Sequence, residues 1–473
     1  MCGQLPWKHG FAPLAYLLYH RHWAGTHGLW PCWCGESEGH SKILLRAAVE
    51  DASLSPHNRA TIVEKGPGGV HHTDRAQGLT KATDGVGRRT MITLYAAAAV
   101  LYWVSLYLYM PTLPVYCESR VESLAVVGVI LSQYGLWQAI IRLPLGIVAD
   151  WLGRRKPFII AGLALAGVGA WVMAGSSSAQ GLILGRAITG VAAGTWVPMV
   201  VAFSSLFPAE EAVRASTLLT SFGTAGRVFA TSVTGSLNGL GGYALAFHLA
   251  AAAAFLAVLV LLPTRERRST PLPSSPAGIG RLIVRRDVLL PSLLAAVSQY
   301  ANWAATFGFL PILASELGAT DVVLSLMVSL NLGLLLVGNL LVAALVGRIG
   351  AYPLVYLSFV LMALGIGGAS VAPSLALLVA FQLLIGLAQG ISYPVLMGLS
   401  IQYVREGERT IAMGLHQAVY ATGMFSGPAL SGALARAVGI RPMLAGTAIA
   451  SLLIGLTMAR WLSRPGSAQE QSD

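Results

Sequence analysis

Charge is scarce in this chain. Of its 473 residues only 11% are Asp, Glu, Lys or Arg and 55% are hydrophobic, whereas about 25% of an ordinary soluble domain is charged. Acid is scarcer than base, at 20 Asp and Glu against 31 Lys and Arg, and no acid falls in the interior of any long apolar run. A chain this long and this apolar belongs in a bilayer. Cysteine is scarce too. Three of the four, Cys2, Cys32 and Cys34, lie near the start, and Cys117 lies near the end of an apolar run. None has zinc-ligand spacing with histidine, which excludes a disulfide framework and a zinc site. There is no His-Glu-x-x-His for an intramembrane metalloenzyme and no Gly-rich Lys-Ser/Thr loop for direct ATP hydrolysis. The net charge of +11 would point to nucleic acid in a soluble protein. Here the cations flank apolar runs, as bilayer orientation requires. No nucleic-acid partner, metal or cofactor is expected.

Two regions differ. Residues 1–90 hold eight of the ten histidines, with Trp7, Trp23, Trp30 and Trp33 among polar, Gly-rich sequence. They contain no run of the roughly 18 apolar residues that a span needs and no secretory leader. A metal-sensing tail would need ligand spacing that is missing, so this stretch reads as a disordered or spurious extension ahead of a start at Met91. From Met91 onward, twelve apolar runs are each long enough to cross a roughly 30 Å hydrocarbon core as a helix. They cover 91–115, 123–147, 157–175, 180–206, 214–237, 243–263, 288–314, 321–346, 351–371, 374–403, 410–435 and 440–462. A linker over 264–287, with Arg265, Arg267, Arg268, a Ser/Pro stretch, Arg281, Arg285 and Arg286, divides them six and six. A short tail, 464–473, follows.

The halves repeat. Leu113-Pro114 recurs as Leu310-Pro311, Gly153 as Gly350, Gly226 as Gly423 and Gly235 as Gly432, all at an offset of 197 residues. Gly190, Gly194 and Pro198 recur as Gly386, Gly390 and Pro394, with one residue of slippage. Loop charges set orientation. Arg154, Arg155, Lys156, Arg214, the linker cations, Arg348, Arg405, Arg409, Arg460 and Arg464 collect on one side. Both termini are therefore expected to face the cytoplasm.

Three motifs carry chemistry. The loop Gly146-Ile-Val-Ala-Asp150-Trp-Leu-Gly153-Arg154-Arg155-Lys156 places one acid among three cations between two spans. The acid is unnecessary for orientation, and Gly146 would let a neighbouring helix approach closely. In the fourth span, Arg186-Ala-Ile-Thr-Gly190 puts a cation deep in a bilayer, at a cost of about 2.5–3.5 kcal/mol or more. In the eleventh, Gly423-x3-Gly427-Pro428-x3-Gly432 offers small residues for close helix packing.

The first motif resembles the loop between helices 2 and 3 of the major facilitator superfamily, and Arg186-x3-Gly190 resembles a pattern on that family's fourth helix. The resemblance covers roughly residues 91–463. It implies an all-α integral membrane protein of twelve transmembrane helices in two pseudo-symmetric six-helix bundles. It also implies a secondary transporter, not an enzyme, working by alternating access around a central site. By the same resemblance, Gly146, Asp150, Gly153, Arg154 and Arg155 form a gate, with Arg154 and Arg155 as local partners of Asp150. Two departures matter. Trp151 stands where the family often has Arg, and the antiporter Gly-Pro signature falls on the eleventh span instead of the fifth, which carries Arg227 in its place.

The buried ionisable set is one-sided: Arg142, Arg186, Arg227, His248 and His416, with no matching acid. Arg142 could snorkel toward the cytoplasm, His248 reads as a helix-end residue, and Arg227 could instead brace Asn331. Tyr95, Tyr102, Tyr109 and Tyr116 recur every seven residues on one helix face. At the repeat offset, Tyr102 maps to Gln299, Ser105 to Asn302 and Tyr109 to Thr306. The expected cavity therefore holds Tyr102, Tyr109, Arg186, Arg227, Gln299, Asn302 and Gln389, with Gln382 and Gln417 as weaker candidates. The first reading of cargo is outward transport of a drug-like amphiphile from the aromatic lining, with proton coupling open. The rival reading is an organic anion, from the cations. A monomer in the inner membrane is expected.

Overall fold

The computed structural model describes residues 87–208, 211–266, 282, 284–405 and 408–463. The expected extension up to residue 86, most of the 264–287 linker and the 464–473 tail lie outside the described residues. So do the side chain of Asp150 and hence its pairing with Arg154 and Arg155.

The described elements are helical, as a bilayer demands of a backbone with no water to bond to. In order they are α1 (Arg88–Tyr107), α2 (Leu113–Glu118), α3 (Leu124–Leu152), α4 (Lys156–Ala174), α5 (Ala179–Ala193), α6 (Trp196–Ser204) and α7 (Ala212–Leu261). The second half comprises α8 (Arg286–Ala304), a π-helical turn at Ala305–Phe309, α9 (Leu310–Glu316), α10 (Asp321–Ile349), α11 (Ala351–Val371), α12 (Leu375–Ile401), α13 (Arg409–Val438) and α14 (Ile440–Leu462). The twelve expected runs are all helical. The first is α1 with α2, the fourth α5 with α6, and the seventh α8, the π turn and α9. The fifth and sixth run on as α7, broken where Gly242 adopts φ +67°, a conformation that favours glycine. By length and apolarity alone, nine helices among the described residues could cross a membrane, one of 48 residues, long enough for two spans. α8 and α13, in the seventh and eleventh spans, fall short of that measure; they carry Gln299 and Asn302, and His416 and Gln417.

The first and seventh spans break at one register. α1 ends at Tyr107 and α2 starts at Leu113; α8 ends at Ala304 and α9 starts at Leu310. The repeated Leu-Pro pair explains it. Pro114 and Pro311 sit in the first turn of the resumed helix, where proline gives no N–H and crowds the carbonyl four residues back. In the first half, α7 heals the break: Thr234 Oγ1 donates to the Leu108 carbonyl at 2.8 Å, and Asn238 Nδ2 donates to Thr112 Oγ1 at 3.0 Å. In the second half the helix widens into the π turn.

The halves meet along two helix pairs, each tight over one part of its length. α3 lies on α13 with no room for a side chain between them. A Cβ on Gly128 would overlap the Pro428 carbonyl, and one on Gly135 the backbone of Met424 and Phe425. α7 lies on α10 in the same way. The Gly235 N–H donates to Ser325 Oγ at 2.7 Å, Thr231 and Ser329 share a hydrogen bond of 2.7 Å, and Asn238 Nδ2 donates to Asp321 Oδ2 at 2.9 Å. Further along, both pairs part. A Cβ on Gly414 would reach only Leu143, at 3.8 Å, and one on Gly146 or Gly333 would meet nothing within 4 Å. The expected close helix approach at Gly146 is thus absent. The halves close at the end carrying loops 119–123 and 317–320 and separate toward the end carrying the basic loops.

Gly135→Leu should force these backbones apart. It is expected to lower the melting temperature by several degrees, consistent with overpacking of about 1–3 kcal/mol, whereas Gly414→Leu on the parted stretch changes it by about one degree or less. Differential scanning fluorimetry of both variants checks this; equal effects would contradict the asymmetric contact.

Candidate substrate site

Three arginines enter the interior from the first half, and each lies over aromatic rings. Arg186 on α5 is fully buried. Its guanidinium lies 4.6 Å from the Tyr134 ring centroid, and Nη1 is 3.6 Å from Met110 Sδ. The Arg-x3-Gly spacing accounts for this. Gly190 lies one turn on, on the same face, and a Cβ there would crowd the Tyr134 carbonyl at 2.9 Å. Its absence lets α3 bring Tyr134 beneath Arg186. Arg227 on α7 lies 4.2 Å over Trp103 and 5.7 Å over Tyr107. Gly223 and Gly226 bring α1 in, since Cβ atoms there would crowd Trp103 and the Val100 carbonyl. Arg142 on α3 donates to Gln417 Oε1 at 3.2 Å and lies 5.2 Å over Tyr420.

None of the three forms an ion pair among the described residues. Nε of each, and Nη2 of Arg186, has no hydrogen-bond partner there. A ring face offers a cation about 0.5–2 kcal/mol, while burying a charge costs several. For Arg142 and Arg186, which are buried, the rings alone do not offset that cost and an anion would; Arg227 is only partly buried.

The rings join the arginines across the two halves. Tyr134 stacks on Trp303 of α8, with centroids 5.4 Å apart and planes 20° apart. Trp303 meets Phe307 at 4.9 Å, Phe307 meets Tyr107 at 6.2 Å, and Tyr107 meets Trp103 at 5.6 Å. Arg186 therefore stands at one end of a ring chain and Arg227 at the other. The chain lies beside the paired breaks.

The expected residues separate into groups. Arg186 and Arg227 flank the ring chain. Asn302 is buried, with Oδ1 lacking a partner among the described residues. Gln299 is also buried. Gln389 accepts from Ser298 Oγ at 2.9 Å, which ties it to α8. The tyrosine stripe turns into its own half. Tyr102 stacks on Trp196 at 6.2 Å and donates to the Ala192 carbonyl, and Tyr109 packs on Phe247 at 4.8 Å. Tyr107, five residues beyond Tyr102, meets Phe307 of the other half instead, while Trp103 packs on Trp196 and under Arg227 in its own half. Asn331 donates its amide to the Gln382 carbonyl at 2.8 Å, while Arg227 lies over the rings of Trp103 and Tyr107. Arg142 does not snorkel, because Gln417 and Tyr420 hold it inside. Gly423 and Gly427 lie against α8 at the Ala296 and Tyr300 carbonyls, and Pro428 against Gly128.

The Gly146–Lys156 loop lies at the parted end. Gly153 takes φ +60°, the left-handed turn that ends α3. The sequence reading missed its partner, Glu266. That carboxylate accepts the Arg155 N–H at 2.5 Å and the Lys156 N–H at 2.9 Å, capping α4, while Lys156 Nζ reaches the Leu262 and Thr264 carbonyls. Burial draws the Lys156 ammonium below its ordinary pKa, with Glu266 acting in the opposite sense. The Asp/Glu–cation pattern in the linker's first residues was the available signal.

Comparison with known proteins gives the family and fold. The sequence profile of the Major Facilitator Superfamily matches twice, over residues 95–298 and 292–473. The inner membrane transport protein YajR of Escherichia coli (strain K12) is 37% identical over 91 residues, 19% of this chain and 20% of YajR. The chain thus aligns with about a fifth of that relative. A bacterial homologue of the human lysosomal transporter Spinster, inward-facing and occupied, superposes with a TM-score of 0.68 at 17% identity, over 80% of this chain and 99% of that one. The human organic anion transporter MFSD10 superposes with a TM-score of 0.60 at 16% identity, over 79% and 99%.

Glu266→Ala removes both acceptors from the start of α4. It is expected to cost about 1 kcal/mol, the usual size of a lost cap, and to lower the melting temperature more than Glu266→Gln, which keeps one acceptor. A melting temperature unchanged in the alanine variant would show the contact to be idle.

Proposed function

Because the chain belongs to the Major Facilitator Superfamily and is a multi-pass membrane transporter, not an enzyme, we propose that its cargo is a small organic anion with a flat apolar body. Alternating access of the two halves carries it. The observation behind this reading is the set Arg142, Arg186 and Arg227, held by aromatic faces with no acid in any span interior. Guanidinium groups are suited to carboxylate and similar oxyanions, and the rings suit a planar apolar body. The organic anion transporter of the same fold supports only the point that such a fold can house such a cargo.

A second reading keeps the rings as the main determinant and the cargo as a drug-like amphiphile moved outward. An acid-free interior offers a cationic drug no counter-charge and a proton no carboxylate. The anion reading therefore comes first, and proton coupling becomes an arm of the test. We take the halves as 91–263 and 288–463, joined by a cytoplasmic linker over 264–287, in a monomer of the inner membrane with both termini cytoplasmic. YajR's membrane and the side on which the basic loops gather support this. The parted end is then the cytoplasmic one. Asp150, with Gly146, Gly153, Arg154 and Arg155, is proposed to hold the opposite, outward-open state.

The test is uptake into proteoliposomes of a panel of organic anions, cations and neutral compounds, with and without an imposed pH gradient. Anions are expected to move. Arg227→Lys should keep part of the activity and Arg227→Gln should lose it; lower protein level with unchanged affinity would make Arg227 a brace. Asp150→Asn should lower turnover at normal protein level, by an amount matching a coupling of about 1–3 kcal/mol. Movement of cations alone would reject the anion reading.

A further inference from the structure

The paired breaks in the first and seventh spans carry buried polar groups at matching positions. In the first half these are Ser105 Oγ and Tyr109 OH; in the second they are Asn302 Oδ1 and Thr306 Oγ1. Under the 197-residue repeat, Ser105 corresponds to Asn302 and Tyr109 to Thr306. All four residues are buried; Asn302 is 5% exposed and Thr306 0%. Ser105 Oγ, Asn302 Oδ1 and Thr306 Oγ1 have no hydrogen-bond partner among the described residues, whereas the Tyr109 hydroxyl faces Thr189 and Arg186 of its own half. A buried polar group left unpaired costs about 1–3 kcal/mol, so Asn302 Oδ1 and Thr306 Oγ1, one turn apart at the second-half break, point to something that pairs with them. Breaks at corresponding positions of two repeats are where transporters of repeated halves hold their cargo, and π turns gather at functional positions.

The two breaks differ in charge. The first-half break includes Met110, whose sulfur contacts Arg186, so a cation is at hand. At the second-half break the arginines are reached only through rings: Trp303 stacks on Tyr134, which lies under Arg186, and Phe307 meets Tyr107, which lies under Arg227. The π turn itself, Ala-Thr-Phe-Gly-Phe, has none, and Asn302 and Thr306 are neutral groups able to accept a hydrogen bond. Between the breaks runs the ring chain Tyr134–Trp303–Phe307–Tyr107. Gly308 keeps the turn close, since a Cβ there would crowd the Trp303 carbonyl at 2.6 Å.

We propose that the seventh-span break reads a hydroxyl or N–H donor on the cargo, with Thr306 and Asn302 as specificity-determining residues. The cargo is then a flat organic anion whose hydrogen-bond donor lies at the end remote from its acidic group. This rests on the anion reading above and adds to it. The acidic group lies toward Arg186, the apolar body along the rings, and the donor at the π turn.

Equilibrium dialysis of the purified full chain tests it with three probes: 2-naphthoate, 6-hydroxy-2-naphthoate and 3-hydroxy-2-naphthoate. The wild type should bind the 6-hydroxy compound about tenfold more tightly than 2-naphthoate, the size of one net hydrogen bond of about 1.4 kcal/mol. The 3-hydroxy compound, with its donor beside the carboxylate, should show no such gain. Thr306→Val and Asn302→Leu should each bring the 6-hydroxy preference below about threefold, and Thr306→Ser should restore it. A wild-type preference of one, or a preference that survives in both variants, overturns the inference while leaving the anion reading intact. Failure of all three anions to bind the wild type overturns the anion reading and this inference with it.

Discussion

The guanidinium of Arg186, fully buried on Tyr134 and without an acid to face, is the constraint on which the rest turns. Placing a cation there is costly in hydrocarbon, and the usual remedy, a neighbouring carboxylate, is missing from every span interior. The protein offers ring faces, which recover only part of that cost. Gly190 is needed to bring the Tyr134 ring within reach, and Gly223 and Gly226 do the same for Arg227 and Trp103. The helix packing of the first half is thus organised around presenting positive charge to the other half.

The second constraint is proline. Pro114 and Pro311 each open a helix at the same point of the repeat, and the chain answers differently in each half. In the first, the Thr234 hydroxyl of α7 takes up the freed Leu108 carbonyl, and the Asn238 amide holds the Thr112 hydroxyl. In the second, the helix widens by one π turn. The broken segments lie under the end where Gly128, Gly135 and Gly235 let the halves touch backbone to backbone. Between α3 and α13 that contact leaves no room for a Cβ at Gly128 or Gly135, while α7 and α10 are also joined by the side chains of Thr231, Asn238, Ser325 and Ser329.

Much of this was legible in the sequence. The twelve spans, the six-and-six division and the repeat follow from apolar length and the recurrence of Leu-Pro and Gly-x3-Gly-x3-Pro. Arg186 and Arg227 were legible because charge at depth has no bland explanation. The rings were not. A seven-residue tyrosine stripe pointed to one face of the first span, yet Tyr102 and Tyr109 pack into their own half. The residue that reaches the other half is Tyr107, which meets Phe307. Periodicity shows that residues share a face but not which neighbour that face finds. Trp303 and Phe307 were invisible to the repeat because the first-half residues at those register positions are not aromatic in the same pattern. For Glu266 the linker showed an acid among cations but not its partners, which are backbone N–H groups more than a hundred residues earlier.

The most direct test of the account is the charge preference of the site, measured by thermal stabilisation of the purified chain with three compounds of like shape. These are 2-naphthoate, the cation 2-naphthylmethylammonium and the neutral 2-naphthylmethanol. Binding to the folded state alone raises the melting temperature. The account predicts stabilisation by the anion only, and its loss in Arg186→Gln. Equal stabilisation by the cation or the neutral compound, or an anion effect that persists without Arg186, would contradict it.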